Sequence, residues 1–326
     1  MIRLGLAGLG YWGPNLARNF DELADLRWLC EVSPEQRDRF AARYPNARLT
    51  GDFDELLGDE QLDAVVIATP VVTHYELAKR ALEAGKHVFV EKPPALSAVE
   101  AEELVGAAEE RRVVLMPGYL LLYHPGVRKL KQLVDSGELG EVFYLYGNRQ
   151  NFGQIRRDEN ALWSLGAHDL SVILHLVGEE PTEAWARGES YLRPSVEDVV
   201  FCYLRFPSGK VAHMHLSWLD PHKIRRMTVV GAKKMAVFDD MELERKLTVY
   251  EKTPEEPAET YGEWVMRTGD IYSPKIANDE PLRLECQEFL RLVAGDGDPV
   301  ATAREGVAVV RALEQLQQSL ERTTVS

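Results

Sequence analysis

Over the first 120 or so positions, short apolar runs alternate with stretches of helical period. Ile2 to Ala7, Ala64 to Thr69, His87 to Val90 and Val113 to Met116 are nearly unbroken apolar runs, the pattern of strands buried on both faces of a parallel sheet. Arg27 to Glu31 and Arg48 to Thr50 add two further strands. Helices are predicted from Pro14 onward and over Glu35 to Tyr44. A short one carrying Phe53, Leu56 and Leu57 follows a capping Asp52. Another runs from an N-cap at Thr73 to Ala84, where Gly85 stops it. A fifth begins at the capping box of Ser97 and Glu100 and reaches Arg111. This alternation predicts a doubly wound parallel α/β sheet, whose ligands gather at the carboxyl ends of the strands.

Beyond Tyr119 the rhythm changes. A helix over Pro125 to Ser136, a strand over Val142 to Asn148 and a helix over His168 to Val177 flank a polar stretch, Arg149 to Trp163, that has no clear period and reads as a loop. Strands then follow one another: Glu183 to Tyr191, Asp198 to Phe206, Lys210 to Leu219, Arg225 to Gly231, Met235 to Asp239 and Leu247 to Glu251. Pro207-Ser208-Gly209 is a hairpin turn between two of them. The expectation is an α+β domain built on a large, mainly antiparallel open sheet. Thr253 to Asn278 reads as an excursion, and helices over Pro281 to Ala294 and Ala303 to Glu321 close the chain. The domains are expected at residues 1–120 and 121–326, with the C-terminal helices packing back on the first.

Charge and cysteine content narrow the classes of partner. With 38 Lys and Arg against 52 Asp and Glu, a net charge of −14 argues against a nucleic-acid or anionic-membrane surface. Cys30, Cys202 and Cys286 lie far apart in apolar or helical contexts without metal-ligand spacing and read as reduced core thiols. The first strand begins at Ile2 with no charged leader, and no apolar run reaches the length of a membrane span, so a cytoplasmic location is expected.

The strongest chemical signal is Gly8-Leu9-Gly10-Tyr11-Trp12-Gly13, set between the first strand and the first helix. Glycines there permit a sharp turn, a close approach of backbone to a pyrophosphate, and tight packing of helix on strand. The N–H groups of the helix N-terminus, with Pro14 in its first turn, then face the phosphates. Glu31 ends the second strand about twenty residues past the glycines, where a carboxylate takes both hydroxyls of an adenosine ribose. The same charge repels a 2′-phosphate, so NAD is expected rather than NADP.

After that turn come Ala68-Thr69-Pro70 with His74, Gly85-Lys86-His87-Val88 leading into Glu91-Lys92-Pro93, and Gly166-Ala167-His168 opening a helix of the second domain. In this order and spacing, over essentially its whole length, the chain resembles the Gfo/Idh/MocA family of NAD(P)-dependent oxidoreductases, which act mostly on sugars, inositols and sugar nucleotides. The resemblance implies that Gly8, Gly10, Tyr11, Trp12, Gly13, Glu31, Thr69, Pro70, His74, Glu91 and Lys92 line a cofactor site. It implies further that Lys92 sits beside the nicotinamide and holds the reacting oxygen, while His168 exchanges the proton. An alcohol oxidation needs such a basic group near neutral pH, and histidine's ordinary pKa of about 6.5 suits it. One position departs from the family pattern. Four residues before His168, where many members carry an aspartate, this chain has Ser164, and Asp169 is about 100° round the helix from His168. The resemblance also implies a homodimer or homotetramer. It admits two rival activities: a redox-neutral, NAD-dependent glycoside hydrolase and a non-catalytic dinucleotide sensor.

Candidate substrate contacts are Tyr123 and, on the polar stretch before His168, Arg149, Asn151, Arg156, Arg157, Asn160 and Trp163. Such groups suit a polyhydroxylated ring or a diphosphate. His213 and His215 share one face of a strand, but no third ligand accompanies them, so no metal is expected. The basic run Lys223, Arg225, Arg226, Lys233 and Lys234 reads as a solvated or ion-paired sheet face, and Asp239, Asp240, Glu242 and Glu244 as a solvated turn.

Overall fold

The computed structural model describes residues 1–153, 155, 159–255, 265–298 and 301–324. The chain divides into two compact units, the first comprising Met1–Tyr123 with Asp279–Arg311, the second His124–Asn278 with Ala312–Ser326.

The first unit is a parallel sheet with helices on both faces. Its strands are β1 (Arg3–Ala7), β2 (Asp25–Cys30), β3 (Arg48–Thr50), β4 (Ala64–Ile67), β5 (His87–Glu91) and β6 (Leu115–Gly118). Their spatial order, β3-β2-β1-β4-β5-β6, reverses direction between β1 and β4, the switch point at which doubly wound sheets bind ligands. The intervening helices are α1 (Gly13–Leu23), α2 (Pro34–Ala41), α3 (Phe53–Leu57), α4 (His74–Glu83) and α5 (Ala98–Arg111). Local chemistry sets their starts: the side chains of Ser33, Asp52 and Ser97 each accept a backbone N–H at the N-caps of α2, α3 and α5. Thr73 behaves otherwise. Its hydroxyl donates to the Pro70 carbonyl and meets the Thr69 hydroxyl, so α4 begins after a 3-10 turn over Val71–Thr73 without a side-chain cap.

All four residues of β4 are buried, as are Leu4 and Leu6 of β1 and Val88, Phe89 and Val90 of β5. On one face these strands meet Phe20 of α1 and Phe289 of a later helix. Phe20, Phe89 and Phe289 form an edge-to-face trio with ring centroids 6.0, 6.1 and 5.7 Å apart. Each such side chain contributes about 1.5–3 kcal/mol by burial, and the edge-to-face geometry adds about 0.5–1.5 kcal/mol per pair.

The second unit opens with α6 (Pro125–Asp135) and carries β7 (Val142–Phe152), α7 (Ala167–Val177), β8 (Glu183–Glu189), β9 (Val199–Arg205) and β10 (Val211–Ser217). It continues through β11 (Leu219–Gly231), β12 (Met235–Asp239), β13 (Leu247–Glu255) and β14 (Val265–Tyr272). The chain ends in α8 (Pro281–Val293) and α9 (Ala301–Thr324). The eight strands form one sheet, β14-β13-β12-β11-β7-β10-β9-β8, antiparallel throughout except where β7 and β10 pair in parallel.

Three features differ from the sequence expectation. β7 continues through Phe152, so Arg149 and Asn151 are strand residues rather than loop residues. Backbone pairing with β10 and β11 carries that strand past the point where apolar alternation ends. Likewise β13 runs to Glu255, and β14 forms where an excursion was expected; Pro254 is tolerated there opposite Met266 because this pair lies at the sheet edge. Finally, a π-helical turn over Leu162–Gly166 precedes α7, so His168 is the second residue of a helix already under way.

Phe289→Ala is expected to destabilise the protein by about 3–5 kcal/mol, since the cavity would open inside the aromatic trio. Urea unfolding monitored by circular dichroism reads this directly, and a loss under 1 kcal/mol would contradict the role given to that trio.

Candidate active site

The glycine turn follows β1, and its three glycines meet three different constraints. Gly8 has φ +95°, and a Cβ there would lie 2.6 Å from the Ala68 carbonyl oxygen. At Gly13 a Cβ would fall 1.9 Å from the Gly8 carbonyl oxygen, which forces glycine where α1 leaves the strand. Gly10 is different: nothing lies within 4 Å of its Cβ position, and the residue is exposed. The turn therefore holds an open cradle that a side chain would fill, bordered by the N-terminus of α1 with Pro14 in its first turn.

Glu31 reaches back to this turn. Its carboxylate accepts from Leu9 N–H at 2.7 Å and from Ser33 N–H at 3.0 Å, which fixes it at the end of β2 beside the cradle. Tyr11 is largely exposed. The Trp12 indole N–H donates to the Glu91 carboxylate, tying the turn to the end of β5.

Thr69 and Pro70 follow β4, and Lys92-Pro93, joined by a cis bond, follows Glu91 at the end of β5. His74 joins the two segments. It is buried, with Nδ1 2.8 Å from the Pro93 carbonyl oxygen and Nε2 2.8 Å from the Thr69 carbonyl oxygen. Burial holds its pKa below the ordinary histidine value, partly offset by those two contacts. His74 is thus a clamp between two loops, with its ring enclosed by protein. Lys92 is half-buried at the end of β5, and its backbone N–H lies 3.3 Å from Glu91 Oε2. Gly10, Glu31, Thr69 and Lys92 stand at the carboxyl ends of β1, β2, β4 and β5, as the alternation of strand and helix requires.

In the second unit His168 and Ser164 are both half-buried, with Ser164 inside the π-helical turn. Turns of this kind are uncommon and concentrate at functional sites. Gly166 has a steric reason: a Cβ there would lie 2.9 Å from Leu216 Cδ1. Asp169 is buried and pairs with Arg149, whose Nε and Nη2 both reach Asp169 Oδ1 at 3.0 and 2.6 Å. The Arg149 guanidinium is therefore engaged inside the unit, linking β7 to α7. Asn160 is buried, donates to Glu197 and Gln317, and accepts from Trp163 N–H, while the Trp163 indole donates to Gln317. These two residues brace the π-helical turn. Asn151 is half-buried on β7, and Arg156 and Arg157 lie outside the described residues.

Tyr123, in the first unit, is buried in the apolar cluster that contains Phe20, Phe89 and Phe289. His213 stacks on Tyr146 and His215 on Phe201, and no group of three metal-ligating side chains occurs among the described residues. Much of the basic run is paired, Arg226 with Asp239, Arg225 with Asp240, and Lys234 with Glu138 and Glu251. Asp239 and Asp240 therefore belong to ion pairs rather than to a solvated turn. The three cysteines are free and buried, and burial raises the thiol pKa at each. No helix among the described residues is long and apolar enough to cross a membrane.

Residues 2–119 match the model of an oxidoreductase family with an NAD-binding Rossmann fold, and residues 127–237 match the model of the C-terminal domain of the same GFO/IDH/MocA group. The chain belongs to the Gfo/Idh/MocA oxidoreductases. Among similar proteins is the UDP-N-acetylglucosamine 3-dehydrogenase of Acidithiobacillus ferrooxidans, 30% identical over 73% of this chain and 74% of that one. A solved structure of that dehydrogenase superposes with a TM-score of 0.85 at 27% identity, covering 98% of each chain. The 2,7-anhydro-N-acetylneuraminate hydratase of Escherichia coli K12 is 29% identical over 65% of this chain, a match that spans 60% of the hydratase.

The residues present fit the NAD implied by this membership: the cradle at Gly10 is open, the end of α1 supplies N–H groups, and Glu31 is held where a ribose would meet it. One member of the site carries no motif. Glu285 occupies the apolar stripe of α8 with Leu282, Cys286, Phe289 and Leu292, is fully buried, and feels the charge of Glu91. The signal available was a carboxylate three residues after Leu282 and four before Phe289, on the face that must be apolar.

Two substitutions separate packing from binding. Gly10→Ala is expected to leave the unfolding midpoint nearly unchanged and weaken NAD binding at least tenfold in a fluorescence titration, because the added methyl fills the cradle. Gly13→Ala is expected to lower stability by about 1–3 kcal/mol or more, because its methyl strikes backbone.

Proposed function

We propose that the protein is an NAD-dependent dehydrogenase or ketoreductase acting on a ring CH–OH group of a sugar or nucleotide-activated sugar. The observation that carries this reading is the assembly at the carboxyl ends of β1, β2, β4 and β5, where an open glycine turn, the carboxylate of Glu31 held by Leu9 N–H and a half-buried lysine share one rim. Similarity to a sugar-nucleotide dehydrogenase supports the substrate class. When bound, NAD accepts or returns the hydride at nicotinamide C4.

In this reading the chain's own residues do the rest. Glu31 takes the ribose hydroxyls and disfavours a 2′-phosphate. Lys92, steadied through the His74 clamp on Pro93, holds the reacting oxygen. His168 exchanges the proton, and Ser164 replaces a carboxylate one turn earlier. Arg149, Asn160 and Trp163 hold β7 and the π-helical turn in place, while Asn151 meets the substrate. Lys92→Ala is expected to lower kcat by about 10²–10⁴-fold and NAD affinity only a few-fold. The assay follows NADH fluorescence against a panel of sugars, sugar phosphates and nucleotide sugars. Unchanged turnover in that variant would sink the mechanism, and product formation without added NAD or net NADH would favour a redox-neutral reaction instead.

The second unit also offers a surface for self-association. On one face of its sheet Trp185 stacks on Tyr203 and Phe201 on His215, with Trp185 and Phe201 about half exposed. A homodimer or homotetramer formed through this face is expected in multi-angle light scattering, with Trp185→Glu shifting the mass toward a monomer. A wild-type monomer at micromolar concentration would contradict it.

A further inference from the structure

Glu285 is fully buried, and neither of its carboxyl oxygens has a hydrogen-bond partner among the described residues. The charge that reaches it is that of a second carboxylate, Glu91. Two carboxylates cannot both stay ionised in such surroundings, so the division of protons between them is decided by what else each one meets.

Glu91 meets everything that favours a charge. The Trp12 indole donates to it, Lys92 N–H lies 3.3 Å from Oε2, and the Lys92 ammonium pulls its pKa down. Gly118, paired with Glu91 across β5 and β6, leaves room for the carboxylate: a Cβ there would lie 3.3 Å from Oε1. Glu285 has no hydrogen-bond partner for either oxygen among the described residues and feels the opposing charge. Burial and that charge hold it well above the ordinary carboxylate range, so Glu285 keeps its proton. Glu91, pushed up by burial and pulled down by Lys92, titrates at about 7.

We propose that Glu91 and Glu285 form a cofactor-linked proton site, holding one proton between them when NAD⁺ is bound and two when NADH takes its place. The inference rests on the placement of the nicotinamide beside Lys92 proposed above. The oxidised ring carries a positive charge and the reduced ring none. A cation near Glu91 favours its carboxylate, and loss of that cation favours the carboxyl form. Lys92 acts on Glu91 through its charge and through its backbone N–H. The other titratable groups linked to the pair are His74, whose pKa burial lowers, Cys286, whose acidity burial suppresses, and the mutually paired Arg18 and Glu280.

The sign follows from linkage. The NADH complex binds more protons, so its advantage over NAD⁺ is present at low pH and is lost as pH rises through the pKa of Glu91 in that complex. Dissociation constants for both cofactors, NADH by fluorescence and NAD⁺ by displacement, are to be measured from about pH 6 to 8.5. The expected ratio of Kd for NAD⁺ to Kd for NADH rises up to about tenfold as pH falls, for a one-unit difference in pKa between the complexes. Glu91→Gln is expected to flatten this dependence, and Glu285→Gln to preserve it, because glutamine is a neutral isostere of the protonated acid. Infrared difference spectra provide an independent readout. A protonated carboxyl C=O band should be present with NAD⁺ and vanish in Glu285→Gln, and a second band should appear when NADH replaces NAD⁺. A pH-independent ratio in the wild type, or a slope that survives Glu91→Gln, would overturn the inference while leaving the dinucleotide site intact. Failure of either cofactor to bind would overturn both. If the variants do not fold, the wild-type ratio and the wild-type infrared bands still decide.

Discussion

The approach of α1 to the end of β1 is the contact on which the candidate site depends. Only the absence of a side chain at Gly13 lets the helix start against the Gly8 carbonyl, and only a left-handed Gly8 lets the chain turn there beneath Ala68. That packing brings the N-terminus of α1, the backbone of Leu9 and the indole of Trp12 to one edge of the sheet. Glu31 and Glu91 are then fixed by hydrogen bonds to that turn, from Leu9 N–H and from the Trp12 indole. Geometry set by sterics thus becomes electrostatics, since partial positive charge and two carboxylates are assigned to different sides of the same turn.

The same economy governs the loops that follow β4 and β5. Neither has regular structure to hold it, yet a single buried imidazole spans both by meeting one carbonyl of each. Enclosure removes water as a competing partner, and the neutral imidazole, with a single N–H, donates to one of the two carbonyls while its other nitrogen packs against the second. In the second unit a different device does comparable work. Asp169 and Arg149 pair within the interior and tie helix to strand, so an aspartate beside His168 serves the frame rather than the imidazole. Breaking a buried pair of that kind typically costs about 3–5 kcal/mol, because the surviving charge has nowhere to go.

How much could be read beforehand divides along physical lines. Strand order in the first unit follows from alternation, because each parallel strand must be buried on both faces and each crossover must return along a helix. The glycine turn, the carboxylate of Glu31 and the lysine after β5 were legible for the same reason: their positions relative to strand ends are set within about thirty residues of chain. The continuation of β7 through Arg149 was not. Its residues carry no apolar alternation, and the strand is sustained by backbone bonds to β10 and β11, which lie more than fifty residues away. Asn160 and Trp163 looked like free polar groups for a substrate because the glutamine that engages both, Gln317, is more than 150 residues distant.

Sequence alone determined the fold class, the family and the placing of the glycine turn, Glu31 and Lys92 at strand ends, because these depend on local spacing. Tertiary structure alone decided which polar groups are spent on holding the frame, which strand residues replace an apparent loop, and which carboxylate's charge reaches the buried Glu285. Glu91 and Glu285 are 194 positions apart (285 − 91), and each is unremarkable by itself. Their coupling arises only where a helix removes Glu285 from water within reach of Glu91 at a strand end, since a charge in solution is screened within about 10 Å and a charge felt in the interior is screened far less.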